Sequence, residues 1–172
     1  NISSENLYLA VNAVTLNPIR VDSDEVTYNL HILLRFELEK ALFDGSLAVA
    51  DLPAEWNRLS EEVVGLCPQN DSEGVLQDVH WSGAAFGYFP SYCLGNLLAA
   101  QLWYALLEQV PEVPDEIAKG NFAPVLEWLR ENVHRHGRHR FAMELSREVT
   151  GQELSHECLT RYLKERYLPL YR

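Results

Sequence analysis

The chain has 172 residues, 47% of them hydrophobic, which is enough for a domain with a real core and too much for wholesale disorder. Fourteen basic residues against twenty-five acidic ones give a formal charge of −11, which argues against a broad phosphate-binding surface. Three cysteines, Cys67, Cys93 and Cys158, make neither a paired framework nor a CxxC metal site and fit a reducing, cytoplasmic setting.

No run is long and apolar enough for a transmembrane helix, and the N-terminus carries no signal-peptide pattern. The missing initial Met predicts a chain that is processed, tagged or cut from something longer. Asn1–Thr15 reads as a short helix capped by Ser3 or Ser4, with Leu7, Val11 and Val14 at helical spacing. Asn17-Pro18 breaks it. A longer helix is predicted from about Asp22 to Phe43, with Asp22 and Glu25 as a variant capping box and Asp44-Gly45 as its stop. Its apolar stripe is Val26, Leu30, Leu33, Leu34, Leu38, Ala41 and Leu42. Its opposite face holds Asp24, Tyr28, His31, Arg35 and Glu39 on one line, which Arg20 could continue. The default reading of that line is a solvated face with salt-bridge pairs, and the alternative is the polar wall of a cleft.

Asp51 before Leu52-Pro53 starts a helix through Glu55–Val64, and Gly65–Glu73 is loop. Ser91–Val110 reads as a nearly all-apolar, buried core helix. Shorter helices are predicted from Pro114 to Lys119, over Phe122–Val133, over Ala142–Val149 and over Ser155–Tyr167. No alternating run suggests a strand. The fold class is therefore all-α, a bundle-like single helical region over 1–172.

Gly74–Tyr92, GVLQDVHWSGAAFGYFPSY, breaks this pattern. Its polar residues follow no helical repeat, and glycines and aromatics crowd together. That composition suits either a catalytic or binding loop or a packed structural one. No HExxH is present, and His134, His136 and His139 are interleaved with arginines, which oppose a cation site. The same basic run, His134–Arg140, could be read as an RNA patch but lacks interleaved aromatics. No GxSxG elbow or phosphate loop occurs. What remains is Gln77-Asp78-Val79-His80-Trp81, where a carboxylate near a histidine could fix its tautomer, with Tyr88 and Tyr92 as oxyanion donors.

Gly74-Val75-Leu76-Gln77-Asp78-Val79-His80-Trp81 fits GxxQDxHW, and Ile19-Arg20-Val21-Asp22-Ser23-Asp24 fits [IN]Rxx[AS]D. Phe86–Pro90, Tyr92, Leu94-Gly95-Asn96, Glu25–His31 and Val133–Gly137 extend the match. By these motifs the chain resembles the metallocarboxypeptidases similar to thermostable carboxypeptidase Taq, from about Leu16 to its end. That family is substantially longer. Two histidines of an upstream HExxH and a later glutamate hold its zinc, and none of these is in this chain, which therefore looks like the C-terminal part of such an enzyme.

The resemblance implies metal-dependent removal of C-terminal amino acids from peptides with a free C-terminus. The enzyme would be a helical, typically homodimeric protein carrying zinc or another divalent metal such as cobalt. No partner in nucleic acid or membrane is expected. Arginine suits a free α-carboxylate, so Arg20 is the candidate receptor. His80, oriented by Asp78, and Tyr88 or Tyr92 would act on the oxyanion. Trp81 and Phe86 would wall the cleft, and Gln77 would support the site or brace the loop. The chain would supply the substrate-binding half and be inactive alone. The other reading is a non-catalytic binding or assembly module on the same fold.

Overall fold

A computed structural model describes residues 2–171. Every regular element among them is helical. They fall into two compact units, one ending at Cys93 and the other beginning at Leu94.

In the first unit, α1 (Ser4–Val11) is capped by Ser3, whose Oγ accepts the Asn6 N–H at 3.2 Å. It is shorter than the sequence pattern suggests, because Asn12 ends it and Val14 lies outside. None of its residues is buried. The next helix, α2 (Tyr28–Asp44), also starts later than expected. Arg20–Asp22 instead forms a 3₁₀ turn, and Asp24 holds the turn that precedes Tyr28. Its Oδ1 accepts the N–H groups of Val26 and Thr27, both at 2.9 Å, and its Oδ2 accepts Thr15 N–H at 3.0 Å. A short carboxylate satisfying local N–H groups competes with helix, which delays the first turn of α2. Gly45 then ends α2 in the left-handed region at φ 80°, where a side chain would be strained.

Leu34 and Leu38 of α2 pack with Leu52 and Trp56 of α3 (Leu52–Leu59) and with Val64, which ends a π-helical turn over Ser60–Val64. Leu30, Leu42, Leu47, Val75 and Trp81 close over this core. Leu33 of the expected stripe lies off it and is exposed. The larger correction concerns the polar line. His31, Arg35 and Glu39 are buried, at 2%, 0% and 5% exposure, so this is no solvated face. Residues four apart fall on one side of a helix, and α2 is thus buried on both sides, one apolar and one ionisable. The loop 65–89 lies over the ionisable side and leads into α4 (Pro90–Gln109), whose first turn belongs to this unit.

In the second unit, the rest of α4 joins α5 (Val113–Ala118), α6 (Ala123–Asn132), α7 (Ala142–Thr150) and α8 (Glu157–Tyr167). Ala105, Leu106, Val113 and Trp128 form its core. Buried Gln101 donates to the Glu153 carbonyl and accepts Ser155 N–H, fixing the connection between α7 and α8. Among the described residues of α4 only Ala100, Gln101, Ala105 and Leu106 are fully buried, so the expected buried core helix is buried along one side. In the basic turn after α6, Arg135 and Arg140 pair with Glu131 and Glu148, which offsets much of its charge. No helix among the described residues is long and apolar enough to cross a membrane.

Candidate functional site

Asp78 is the hub of the first unit's polar cluster. Its Oδ1 accepts Arg20 Nη2 at 2.6 Å and Arg20 Nε at 3.2 Å, and its Oδ2 accepts Arg35 Nε at 2.6 Å. Arg35 Nη2 is a further 2.5 Å contact to Oδ2, though out of line for a hydrogen bond. Arg35 reaches Asp78 from α2, where its Nη1 also donates to the His31 carbonyl at 2.8 Å. Arg20 reaches it from the 3₁₀ turn and donates Nη1 to Tyr28 Oη at 2.9 Å. Two guanidinium groups against one carboxylate leave this buried cluster with a net positive charge.

The loop's own sequence sets this register. Gln77 accepts the Arg20 backbone N–H at 2.8 Å and donates to the carbonyls of Pro18 and Glu73. It is a brace between the two sequence motifs, which places Arg20 beside the neighbouring Asp78. Phe89, 1% exposed, forms the floor. The guanidinium carbons of Arg20 and Arg35 lie 5.7 Å and 5.3 Å from its ring centre, and the His80 ring packs against it at a tilt, with centroids 4.5 Å apart.

His80 Nε2 lies 3.1 Å from Tyr92 Oη. His80 Nδ1 is 3.7 Å from Asp78 Oδ1, too far for a hydrogen bond, so the hydrogen bonds of the Asp78 carboxylate go to the arginines and not to His80. Tyr88 stands at the rim, half exposed, with its ring 5.3 Å from that of Tyr92. Trp81 points the other way. Its indole packs edge-on against Trp56 and Phe89, and Nε1 donates to Glu39 Oε1 at 2.7 Å, so it braces the loop on the core. Phe86 is exposed and meets Phe43 edge-on at 5.2 Å. Arg20, Gln77, Asp78, His80, Tyr88 and Tyr92 thus come together, while Trp81 and Phe86 lie to the side.

The electrostatics follow from this packing. Burial pushes the Asp78 carboxyl up, but the hydrogen bonds and charges of Arg20 and Arg35 outweigh it and hold it below the usual carboxylate range. Burial also opposes the Arg20 charge, and Asp78 and Tyr28 more than offset it. Arg35 is more deeply buried, and desolvation brings it down to about 10 despite Asp78. Both guanidiniums remain charged at neutral pH. Burial, then the Arg35 charge, lower His31 to about 4, so it is neutral there. Burial and the neighbouring Tyr88 raise Tyr92, which keeps its proton.

Tyr28, His31 and Arg35 belong to this cluster and Glu39 holds the loop beside it, and none of the four was among the expected site residues. Their single line with Arg20 was the available signal. Nothing in that spacing distinguishes water from a folded loop as the line's neighbour.

No group of three or more His, Cys, Asp or Glu side chains able to hold a metal occurs among the described residues. Asp78 is committed to two arginines and His80 to Tyr92, so these groups do not fit a metal centre.

The chain is thus all-helical, with two buried guanidinium groups on one carboxylate beside a histidine–tyrosine pair. The Carboxypeptidase Taq (M32) metallopeptidase family matches residues 1–167, and the chain belongs to that family. It is 44% identical over 171 residues to Carboxypeptidase 1 of Bacillus subtilis, covering 99% of this chain and 34% of that protein. It is 42% identical over 168 residues to Thermostable carboxypeptidase 1 of Pyrococcus furiosus, covering 98% and 34%. The crystal structure titled BsuCP superposes with a TM-score of 0.94 at 44% identity, covering 99% of this chain and 34% of that one. The M32 carboxypeptidase of Deinococcus radiodurans R1 gives 0.93 at 42%, with the same coverages. The chain therefore spans about a third of the length of the relatives it matches.

Proposed function

We propose that this chain supplies the substrate-binding half of a metal-dependent carboxypeptidase site. The observation that carries this is the net-positive Arg20–Asp78–Arg35 clamp behind His80 and Tyr92, in a member of a carboxypeptidase family. A peptide's terminal carboxylate is drawn to the clamp and met by Arg20 N–H groups not used by Asp78 or Tyr28. Fixed positive charge in a low-dielectric setting suits this task better than a solvated lysine. When His80 carries a proton on Nε2, Tyr92 accepts it and its own O–H is left to donate to an oxyanion. Tyr88, at the rim, closes over the substrate.

On this reading the metal, zinc or a similar divalent ion, is held by ligands outside this chain. The complete enzyme is a homodimer acting on peptides with free C-termini. The chain alone, given zinc or cobalt, does not turn over a blocked dipeptide. Robust turnover would mean that a complete metal site lies within it.

The direct test is an NMR titration of the chain with acetyl-Ala-Ala and with its C-terminal amide. The free acid shifts His80 and Tyr92 signals and the amide does not. Arg20→Ala weakens the free acid by about 10- to 100-fold, the range for losing a charge-assisted hydrogen bond. Equal effects on acid and amide would remove the carboxylate role.

A further inference from the structure

Glu39 is a buried carboxylate with an unusual set of partners. It lies on α2 one turn beyond Arg35 and is 5% exposed. Its Oε1 accepts Trp81 Nε1–H at 2.7 Å. The Gly87 backbone N–H is shared between Oε1 at 3.2 Å and Oε2 at 3.1 Å. Both donors are neutral. These contacts fix the orientation of the carboxyl group between a side-chain donor and a backbone donor.

That geometry spans the loop from Trp81 to Gly87. Trp81 follows His80 directly, and Gly87 precedes Tyr88. Between them the chain turns tightly: Ala85 N–H donates to the His80 carbonyl at 2.8 Å, and Gly83 N–H to the Val79 carbonyl at 3.0 Å. Ala84 sits at φ 59° and Gly87 at φ 69°, so the segment includes a left-handed non-glycine residue that its surroundings must hold. One carboxylate thus pins both ends of a strained turn, and those ends carry His80 and Tyr88.

We infer that Glu39 is a positioning residue, a buried bidentate acceptor that sets His80 and Tyr88 at the substrate-facing edge of the clamp. This rests on the reading that His80, Tyr88 and Tyr92 face the substrate. Arg35 and Glu39 divide the work along α2. Arg35 holds Asp78, before His80, and Glu39 holds the residues after His80 and before Tyr88. A glutamine at position 39 could accept through one oxygen only, and its NH₂ would face the Gly87 N–H or the Trp81 N–H as a second donor.

The test compares Glu39→Gln and Trp81→Phe in this chain by NMR. In Glu39→Gln, Gly87 amide exchange accelerates by about tenfold, the loss of one hydrogen bond, and the ring signals of His80 and Tyr88 move. In Trp81→Phe, which keeps the carboxylate and an aromatic ring, His80 moves while Gly87 stays protected. The His31 ring, nearer the start of α2, holds still in both. Unchanged Gly87 exchange and unchanged His80 and Tyr88 signals in Glu39→Gln would overturn the assignment. If that variant does not fold, an unmoved His80 in Trp81→Phe would do the same. Binding of acetyl-Ala-Ala separates the two levels. A wild-type chain that binds neither acid nor amide sinks the functional reading, while the exchange and ring signals still decide Glu39.

Discussion

Asp78 faces two guanidinium groups in a site nearly closed to water, and that imbalance governs what substitution there does. Removing the carboxylate leaves two buried cations with no anion between them. Breaking a buried pair in this way costs roughly 3–5 kcal/mol. Asp78→Asn should therefore lower the unfolding free energy by about that much in urea titrations, far more than Glu37→Gln, whose partner Lys40 is exposed. His31 makes a second residue-level prediction. Its folded pKa, about 4, is below that of an unfolded histidine. The unfolded chain then binds the extra proton first as pH falls. The His31 contribution is complete above about pH 6.5 and is lost progressively down to about pH 4, by on the order of 3 kcal/mol. Asp78 is depressed in the folded state, so its contribution is lost below the ordinary aspartate range, and the two windows separate. His31→Gln should flatten unfolding free energy between pH 4 and 6.5, measured by urea titration at stepped pH.

At the scale of elements, α2 depends on its ends. Gly45 holds the left-handed cap, and Gly45→Ala should cost about 1 kcal/mol in the same measurement, since the added Cβ meets no neighbour and the penalty is purely conformational. The far end of α2 shows what was and was not legible in the sequence. Pro53, Pro90, Pro114 and Pro124 mark helix starts because proline suits a first turn, and the helices there fall within a residue or two of expectation. Glycine 151 likewise stops α7. The start of α2 was not legible. Asp22 and Asp24 carry the same side-chain chemistry, but it is Asp24 that accepts the N–H groups of Val26 and Thr27, together with Thr15 from earlier in the chain. The site was half legible for the same reason. Gln77, Asp78 and His80 stand out because their loop follows no helical period. Arg35 and Glu39 keep the helical period, and periodicity reports a face without reporting what covers it.

Over the whole molecule, apolar surface and net charge oppose each other. Leu76 and Val79, beside the site, are 70% and 79% exposed, and Tyr88 is half exposed. Such surface favours self-association, while a charge of −11 resists it through repulsion that salt screens. The chain should therefore associate more strongly as salt rises, and Val79→Lys should reduce this, as read by sedimentation velocity. Salt-independent monomers would contradict it. The arrangement of His31, Arg35 and Glu39 has one more consequence. A helix rises about 6 Å over four residues, so α2 works as a ruler with graduations fixed by backbone geometry. Inserting a single residue between Arg35 and Glu39 would swing the second mark about 100° around the axis and uncouple the loop's two attachments. The exposed side chains at 76, 79 and 88 are bound to no such scale. Substitutions at those positions leave the spacing of the buried attachments unchanged.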